Sequence, residues 1–229
     1  MKFIKFFTDK DKEQYGKPVP AKLTIPTWYK DAESTFISEG YQEESAGLKK
    51  CMPFVDSMMS GYVLRFPFDV EISKSNSGEI NFSYAKTPVG EIIHERPKEL
   101  GATIPRPPGF APNHLAFSGF WGIKTPKGFS LLVTHPLNRH ELPFHTVSAI
   151  MDSDEFFAAG NIPFFIKEDF EGVIPEGTPI AQLIPIKRES WVMVDKAENT
   201  KKKANYRGML ARMADFNYKK TMWHRKEYN

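Results

Sequence analysis

The sequence predicts a mainly β fold, a distorted β-barrel with a short helix near residues 48–59 and an amphipathic helix at its C-terminus. The first supporting observation is a series of short apolar runs over residues 114–194, separated by Gly and Pro turns and by no helical stretch. Strands that follow one another in this way are typical of barrels and sandwiches. The second is that 41% of the 229 residues are hydrophobic, which suffices for a sizeable core.

The N-terminal quarter is predicted to contain little regular structure. Residues 1–8 alternate enough for a short strand, and the Pro-rich segment 16–30 predicts an extended arm. Apolar residues then recur at helical spacing before Gly61, and this places Cys51 on the buried face of the predicted helix. The residues with that spacing are Leu48, Cys51, Met52, Val55, Met58 and Met59.

A β-hairpin is predicted next. Residues 61–73 and 79–85 alternate with period two around Ser75-Asn76-Ser77-Gly78. Pro67 indicates that the first strand is an edge strand or is bulged. Residues 86–112 hold six prolines and predict a long ordered loop, anchored by apolar residues such as Ile92 and Ile93.

The C-terminal half supplies most of the predicted strands, followed by a basic tail. The strands are expected near residues 114–124, 128–135, 145–151, 162–167, 172–174, 179–186 and 190–194. Apolar residues at helical spacing from Tyr206 to Trp223, among many Lys and Arg, predict the amphipathic helix. The predicted organisation is one β-rich domain over 1–195 with Pro-rich arms and a basic helical extension over 196–229.

The charge of the chain is divided unevenly. The net charge is +3, but residues 187–229 carry 12 Lys and Arg against 5 Asp and Glu, a net of +7, and the remainder carries −4. A basic tail of this kind docks on an anionic surface, which is the chain's own body, a second copy, another protein or nucleic acid. The predicted partner-binding residues are Lys219, Lys220, Trp223 and Arg225.

Several classes of protein are excluded or disfavoured. No stretch of 18 apolar residues is present, so a membrane span is not expected. The N-terminus lacks the apolar core of a secretory signal, and the single Cys51 excludes an intrachain disulfide framework. The expected compartment is therefore a reducing cytoplasm.

One segment carries a family resemblance. Residues 172–186, Gly-Val-Ile-Pro-Glu-Gly-Thr-Pro-Ile-Ala-Gln-Leu-Ile-Pro-Ile, resemble the Ala-Gln-Leu strand of the dUTP pyrophosphatase and dCTP deaminase superfamily. Residues 149–156 are similar to the Asp-containing segment that precedes it. The resemblance implies a barrel, a homotrimer and a deoxynucleotide site. In that site Asp152 orients water, with Asp154 beside it, and Gln182 lies near the phosphates.

The other parts of the family's site are matched less well in this chain. Ser118 stands where the family has a Ser-rich phosphate-binding turn, and Trp121 is a candidate for stacking on a base, although an aromatic residue there also suits the core. Two features of the family are replaced in this chain. One is the tyrosine that follows the second Asp, and the other is the Gly-rich C-terminal arm. If the enzyme interpretation holds, Mg²⁺ is the expected cofactor; otherwise none is expected.

The whole chain also resembles uncharacterised proteins of tailed phages of marine bacteria, through segments such as Ile25-Pro26-Thr27-Trp28-Tyr29-Lys30 and Phe129-Ser130-Leu131-Leu132-Val133-Thr134-His135-Pro136. That resemblance implies a viral setting, in the host cytoplasm or the virion. The prediction is a non-catalytic β-barrel protein that acts as a binding, assembly or structural component through its C-terminal helix. The alternative is a deoxynucleotide-processing enzyme that uses Asp152.

A histidine cluster is the remaining candidate. His135, His140 and His145 recur every five residues, a spacing that matches neither a helix face nor a strand face. Three imidazoles can bind Zn²⁺ or Fe²⁺, but the spacing favours a polar loop, and no metal site is predicted.

Overall fold

A computed structural model describes residues 2–37, 44–76, 78–85, 90–158, 160–195 and 217–229. The chain divides into two compact units. The β-rich unit comprises Met1–Thr24 and Gly61–Arg188, and the arm unit comprises Ile25–Ser60 and Glu189–Asn229. The sequence predicted one boundary at residue 195, whereas this division also joins residues 25–60 to the C-terminal part.

The β-rich unit holds fourteen of the sixteen described strands. They are β1 (Lys5–Phe7), β2 (Val19–Pro20), β5 (Tyr62–Arg65), β6 (Val70–Lys74), β7 (Ile80–Tyr84), β8 (Ile93–Glu95), β9 (Leu115–Ser118), β10 (Gly122–Lys124), β11 (Phe129–Thr134), β12 (Phe144–Thr146), β13 (Ala149–Met151), β14 (Asn161–Ile166), β15 (Gly172–Ile174) and β16 (Pro179–Lys187). The unit also contains helix α3 (Lys98–Ala102) and the 3-10 turns Lys10–Lys12 and Ala21–Thr24. The prediction of a mainly β fold is confirmed.

These strands form four antiparallel sheets. Their orders are β13-β11-β16-β5-β2, β12-β14-β9-β8, β15-β6-β7 and β1-β10. None of the sheets formed by the described strands closes on itself, so the described residues show several antiparallel sheets rather than the predicted distorted β-barrel. The physical reason is that the strands are short and irregular: Pro67 separates β5 from β6, and the β16–β5 register shifts between Pro179 and Ala181.

The core of the β-rich unit contains a cluster of phenylalanine rings. Phe66 contacts Phe117, Phe144 and Phe164 edge-to-face, with ring centroids 5.4, 5.6 and 6.4 Å apart. Such aromatic pairs add stability beyond the apolar area that they bury. These rings come from β9, β12 and β14 and from the end of β5, so they join the two largest sheets.

The predicted hairpin is confirmed, with one correction. β6 and β7 pair from Val70↔Tyr84 to Lys74↔Ile80. Residues 61–73, predicted as one strand, form β5 and β6 in two different sheets. β5 is not an edge strand, because it lies between β16 and β2. Proline has no amide hydrogen to donate to a ladder, so the chain changes sheets around Pro67.

Two further predictions need correction. The predicted loop 86–112 contains β8, which pairs with β9, and helix α3; Ile92 and Ile93 are buried as anchors, as expected. Residues 190–194, predicted as a strand, form none. The Arg188 N–H still donates to the Gly128 carbonyl at the end of the β11–β16 pairing, and the Arg188 side chain pairs with acidic residues after β13; no backbone hydrogen bond among the described residues continues the pairing into residues 190–194.

The arm unit is smaller. Its elements are α1 (Thr27–Asp31), the hairpin of β3 (Thr35–Ile37) and β4 (Glu44–Ala46), a 3-10 turn (Leu48–Lys50), α2 (Met52–Met59) and α4 (Asn217–Thr221). The predicted helix near 48–59 is therefore a 3-10 turn followed by α2. Cys51 is exposed rather than buried, because it lies in extended conformation between these two elements. Tyr29 stacks on Phe54, with centroids 6.2 Å apart.

Much of the predicted C-terminal helix lies outside the described residues. Residues 196–216 are outside the described part of the chain, and α4 is the element of the predicted helix that the structure describes. No helix among the described residues has the length and hydrophobicity needed to cross a membrane.

Candidate functional site

The structure places Asp152 and Asp154 in the turn that follows β13, where both carboxylates meet Arg188. The guanidinium donates to Asp154 Oδ1 at 2.7 Å and Oδ2 at 2.5 Å, and to Asp152 Oδ1 at 3.2 Å. The Gly128 N–H also donates to Asp154 Oδ2, at 2.8 Å. A bidentate pair of this kind combines strong hydrogen bonds with a defined geometry.

Asp154 therefore acts as an anchor for this turn. Its side chain is 2% exposed. The hydrogen bonds from Arg188, supported by that from the Gly128 N–H, hold the pKa of the carboxyl well below its usual range. A carboxylate stabilised this strongly in its ionised form is a poor proton acceptor.

Asp152 is more open. Its side chain is 63% exposed, and its Oδ1 accepts a hydrogen bond from Ser130 Oγ at 2.6 Å. It is the one member of the predicted carboxylate pair that presents oxygen to solvent.

Gln182 lies at the other end of the same sheet. It is buried in β16 and pairs with Thr134 of β11, and its Oε1 accepts from the Leu137 N–H at 2.9 Å. Asp152 instead accepts a hydrogen bond from Ser130, which precedes Thr134 by four residues along β11. At the usual rise of a strand, Ser130 and Thr134 are about 13 Å apart. Within this chain, the structure does not bring the predicted water-orienting and phosphate-side residues together.

The two remaining predicted ligand residues have structural partners. Ser118 ends β9, and its Oγ donates to Asn161 Oδ1 at 2.9 Å. Trp121 is buried, and its indole N–H donates to the Tyr15 carbonyl at 2.7 Å. The Trp121 ring helps to line an apolar cavity of about 100 Å³ together with Ile123 and Leu183. Trp121 thus lies in the core, as the alternative interpretation of this residue expected.

The histidines form a stacked pair. The rings of His135 and His145 lie 5.0 Å apart. His135 Nδ1 accepts from the Thr146 N–H at 3.3 Å, so Nε2 carries the hydrogen and donates to the Arg139 carbonyl at 3.1 Å. Burial lowers the pKa of His135 to about 4. In the part of the chain that the structure describes, no three His, Cys, Asp or Glu residues gather as metal ligands.

The predicted partner-binding residues lie in the C-terminal segment of the arm unit. Lys219 and Lys220 are exposed in α4. The Trp223 indole N–H donates to Asp56 Oδ2 of α2 at 2.8 Å, and Lys226 Nζ contacts the same oxygen at 2.5 Å. Arg225 pairs with Glu227 at 3.1 Å. Trp223 therefore contacts its own unit, whereas Lys219 and Lys220 extend into solvent.

Two features emerged only from the structure. One is the apolar run Trp191-Val192-Met193-Val194, whose exposed fractions are 86, 86, 92 and 68%. The sequence showed the run but predicted it as a paired strand. The other is a cavity of about 390 Å³ lined mainly by the segment from Glu95 to His114, which the sequence treated as a loop. Its arginines were visible in the sequence, but no spacing rule linked them to His114.

No protein-family model, curated protein or solved structure matches this chain. The candidate sites therefore depend on the chemistry and geometry of the chain's own residues.

Proposed function

We propose that this chain is a structural or assembly component that binds further copies of itself through its C-terminal part. The single observation that carries the proposal is the exposed run of Trp191, Val192, Met193 and Val194. Soluble proteins seldom expose several large apolar side chains in succession, and such patches are typical of interaction surfaces. Aromatic residues and methionine are also enriched where proteins meet.

The backbone of this run is available for pairing. None of the backbone hydrogen bonds among the described residues involves residues 190–194. The β-branched and aromatic residues favour an extended strand, and both faces of that strand are apolar. A strand with two apolar faces gains most when a partner covers both faces and satisfies its N–H and C=O groups.

The distribution of charge favours a second copy as the occupant. Residues 187–229 carry a net charge of +7, and the remainder of the chain carries −4. Opposite charges on residues 187–229 and on the remainder of the chain favour contacts between the C-terminal part of one copy and acidic residues of another. The exposed Lys219 and Lys220 extend this basic surface.

The resemblance of residues 172–186 adds two secondary expectations. It suggests that the β-rich unit derives from the dUTP pyrophosphatase-like fold, and that the number of copies is three. The deoxynucleotide enzyme that uses Asp152 remains the alternative function.

Sedimentation velocity over a concentration series tests the proposal. We expect the wild-type protein to associate, and Trp191→Ser to weaken association by about 30-fold, the effect of losing about 2 kcal/mol at an interface hot spot. Added salt weakens association as well, because it screens the opposite charges.

Leu23→Ser is the matched control, because Leu23 is also an exposed apolar residue, at 66%, and lies in the β-rich unit. It is expected to associate like the wild type. A wild-type protein that stays monomeric throughout the series would contradict the proposal, and so would equal effects of the two substitutions.

A further inference from the structure

The cavity of about 390 Å³ in the β-rich unit has the size of a small-molecule site. The 19-residue segment between β8 and β9, which includes α3, supplies most of its lining. Phe165 of β14 and Glu79 supply other parts. This cavity is separate from the exposed run of the arm unit and from the Asp152 turn.

A buried histidine without partners lines the cavity. His114 is 2% exposed, and neither ring nitrogen has a hydrogen-bond partner among the described residues. Native proteins pair nearly all their buried polar groups, so an unpaired one needs an explanation. Burial, aided by the nearby positive charge of Arg96, lowers the pKa of His114. The neutral ring offers one donor and one acceptor.

The surroundings hold this ring in place. It stacks on Phe165, with centroids 5.2 Å apart and an interplanar angle of 20°. Gly101 of α3 packs against it so closely that a Cβ at that position would lie 2.8 Å from the His114 Cβ. One face of the ring is therefore covered by Phe165 and the His114 Cβ lies against Gly101, so this side chain is closely packed in the cavity wall.

The two glutamates at the cavity each have a partner, whereas its two arginines form no ion pair with a described residue. Glu95 accepts a hydrogen bond from Asn113 at 3.0 Å, and Glu79 lies 3.8 Å from Lys98. The guanidinium groups of Arg96 and Arg106 form no ion pair with any residue that the structure describes. A guanidinium presents a planar fork of N–H donors that fits a carboxylate or a phosphate.

We propose that this cavity binds a small organic oxyanion, a carboxylate or a phosphate ester, that also carries a hydroxyl group. The oxyanion binds to the guanidinium groups of Arg96 and Arg106. The hydroxyl group bonds to His114, because a hydroxyl both donates and accepts and thereby matches a neutral imidazole. This ligand would satisfy the buried group that the protein itself leaves unpaired.

Isothermal titration calorimetry with the full chain tests the site, using citrate, glycerol 3-phosphate and inorganic phosphate as probes. We expect at least one of the two organic probes, which carry hydroxyl groups, to bind more tightly than inorganic phosphate. Arg106→Gln is expected to lower the affinity by about 10-fold or more, since one charge-assisted contact is lost. Arg106 is exposed, so this variant keeps the fold.

Lys10→Gln is the matched control, because Lys10 is an exposed cation of the β-rich unit that does not line the cavity. It should bind the probes like the wild type. A second readout is the NMR signals of the His114 ring nitrogens, which should shift when an organic probe binds.

Three results would overturn the proposal. They are equal affinities of the Arg106→Gln and Lys10→Gln proteins, ring signals of His114 that stay unchanged at saturation, and the absence of binding by all three probes in both measurements. None of them bears on self-association, so this proposal and the assembly proposal fail independently.

Discussion

Gly61 offers a sharp test of how the β-rich unit is held together. It stands at the start of β5 with φ +72°, a conformation that favours glycine. A Cβ at this position would lie 2.9 Å from the carbonyl carbon of Leu183 and 3.2 Å from the Cα of Ile184, and closest of all to the Leu183 carbonyl oxygen. These are backbone atoms of β16, so no side-chain rotation relieves the contact.

The cost of Gly61→Ala has two parts. The left-handed backbone costs about 1 kcal/mol, after allowance for the more restricted unfolded chain. Restoring ordinary carbon–carbon contact, at about 3.5 Å or more, moves β5 away from β16 by over half an ångström. Weakening two ladder hydrogen bonds in this way adds about 2 kcal/mol, and the total is about 3 kcal/mol.

Gly128→Ala is the matched control. Gly128 has φ +81°, and no atom lies within 4 Å of its added Cβ. This variant therefore carries the backbone cost of about 1 kcal/mol without the strand displacement. For a chain of this size, each kcal/mol lowers Tm by about 2–4 °C. We expect losses of about 9 °C for Gly61→Ala and about 3 °C for Gly128→Ala in thermal unfolding followed by far-UV circular dichroism.

Equal losses of Tm in the two variants would refute this reasoning. They would mean that the close approach of β5 and β16 at Gly61 does not constrain the fold.

Three further predictions concern protonation and chemistry. The pKa of His135 in the folded protein is about 4, whereas an unfolded histidine titrates near 6.5, so stability falls by about 3 kcal/mol as the pH drops from about 6.5 to 4. His135→Gln should reduce the loss of Tm between these pH values, and an unchanged loss would show that another group is responsible. The pKa of Asp154 is lowered in the folded protein, so its contribution to stability is present above the unfolded value of about 3.9 and is lost as the pH falls below it. Asp154→Asn should therefore unfold with a weaker dependence on pH below about 4, and a slope equal to that of the wild type would contradict the Arg188 anchor. Finally, we expect no hydrolysis of dUTP or of the four common dNTPs with Mg²⁺; Mg²⁺-dependent turnover that disappears in Asp152→Asn would establish the enzyme alternative instead.

The local elements of the fold were largely predictable from the sequence. The β6–β7 hairpin followed from period-two alternation around a turn ending at Gly78, and the helix before Gly61 followed from apolar spacing. Both depend on residues a few positions apart, which local backbone preferences and burial of one face decide. The burial of Ile92 and Ile93 in a Pro-rich segment was predictable for the same reason.

The candidate sites were less predictable. The sequence showed Asp152 and Asp154 as a pair. The positive charge that neutralises Asp154, however, is the guanidinium of Arg188, 34 residues away. Residues 190–194 form no strand, although their run of apolar residues led to the prediction of one. Gln182 has the residue type and position that the resemblance requires, yet it lies at the opposite end of β11 from Asp152.

The sequence by itself determined the fold class, the turns and the uneven charge of this protein, because these properties depend on composition and on neighbouring residues. Only the tertiary structure decided which strands share a sheet, which apolar run stays exposed and which polar groups are buried together. Arg106 and His114 line one cavity together with Phe165, which is far from both in the chain. Such a site exists only after sheet pairing has brought β8, β9 and β14 together, and that pairing depends on the packing of the whole unit.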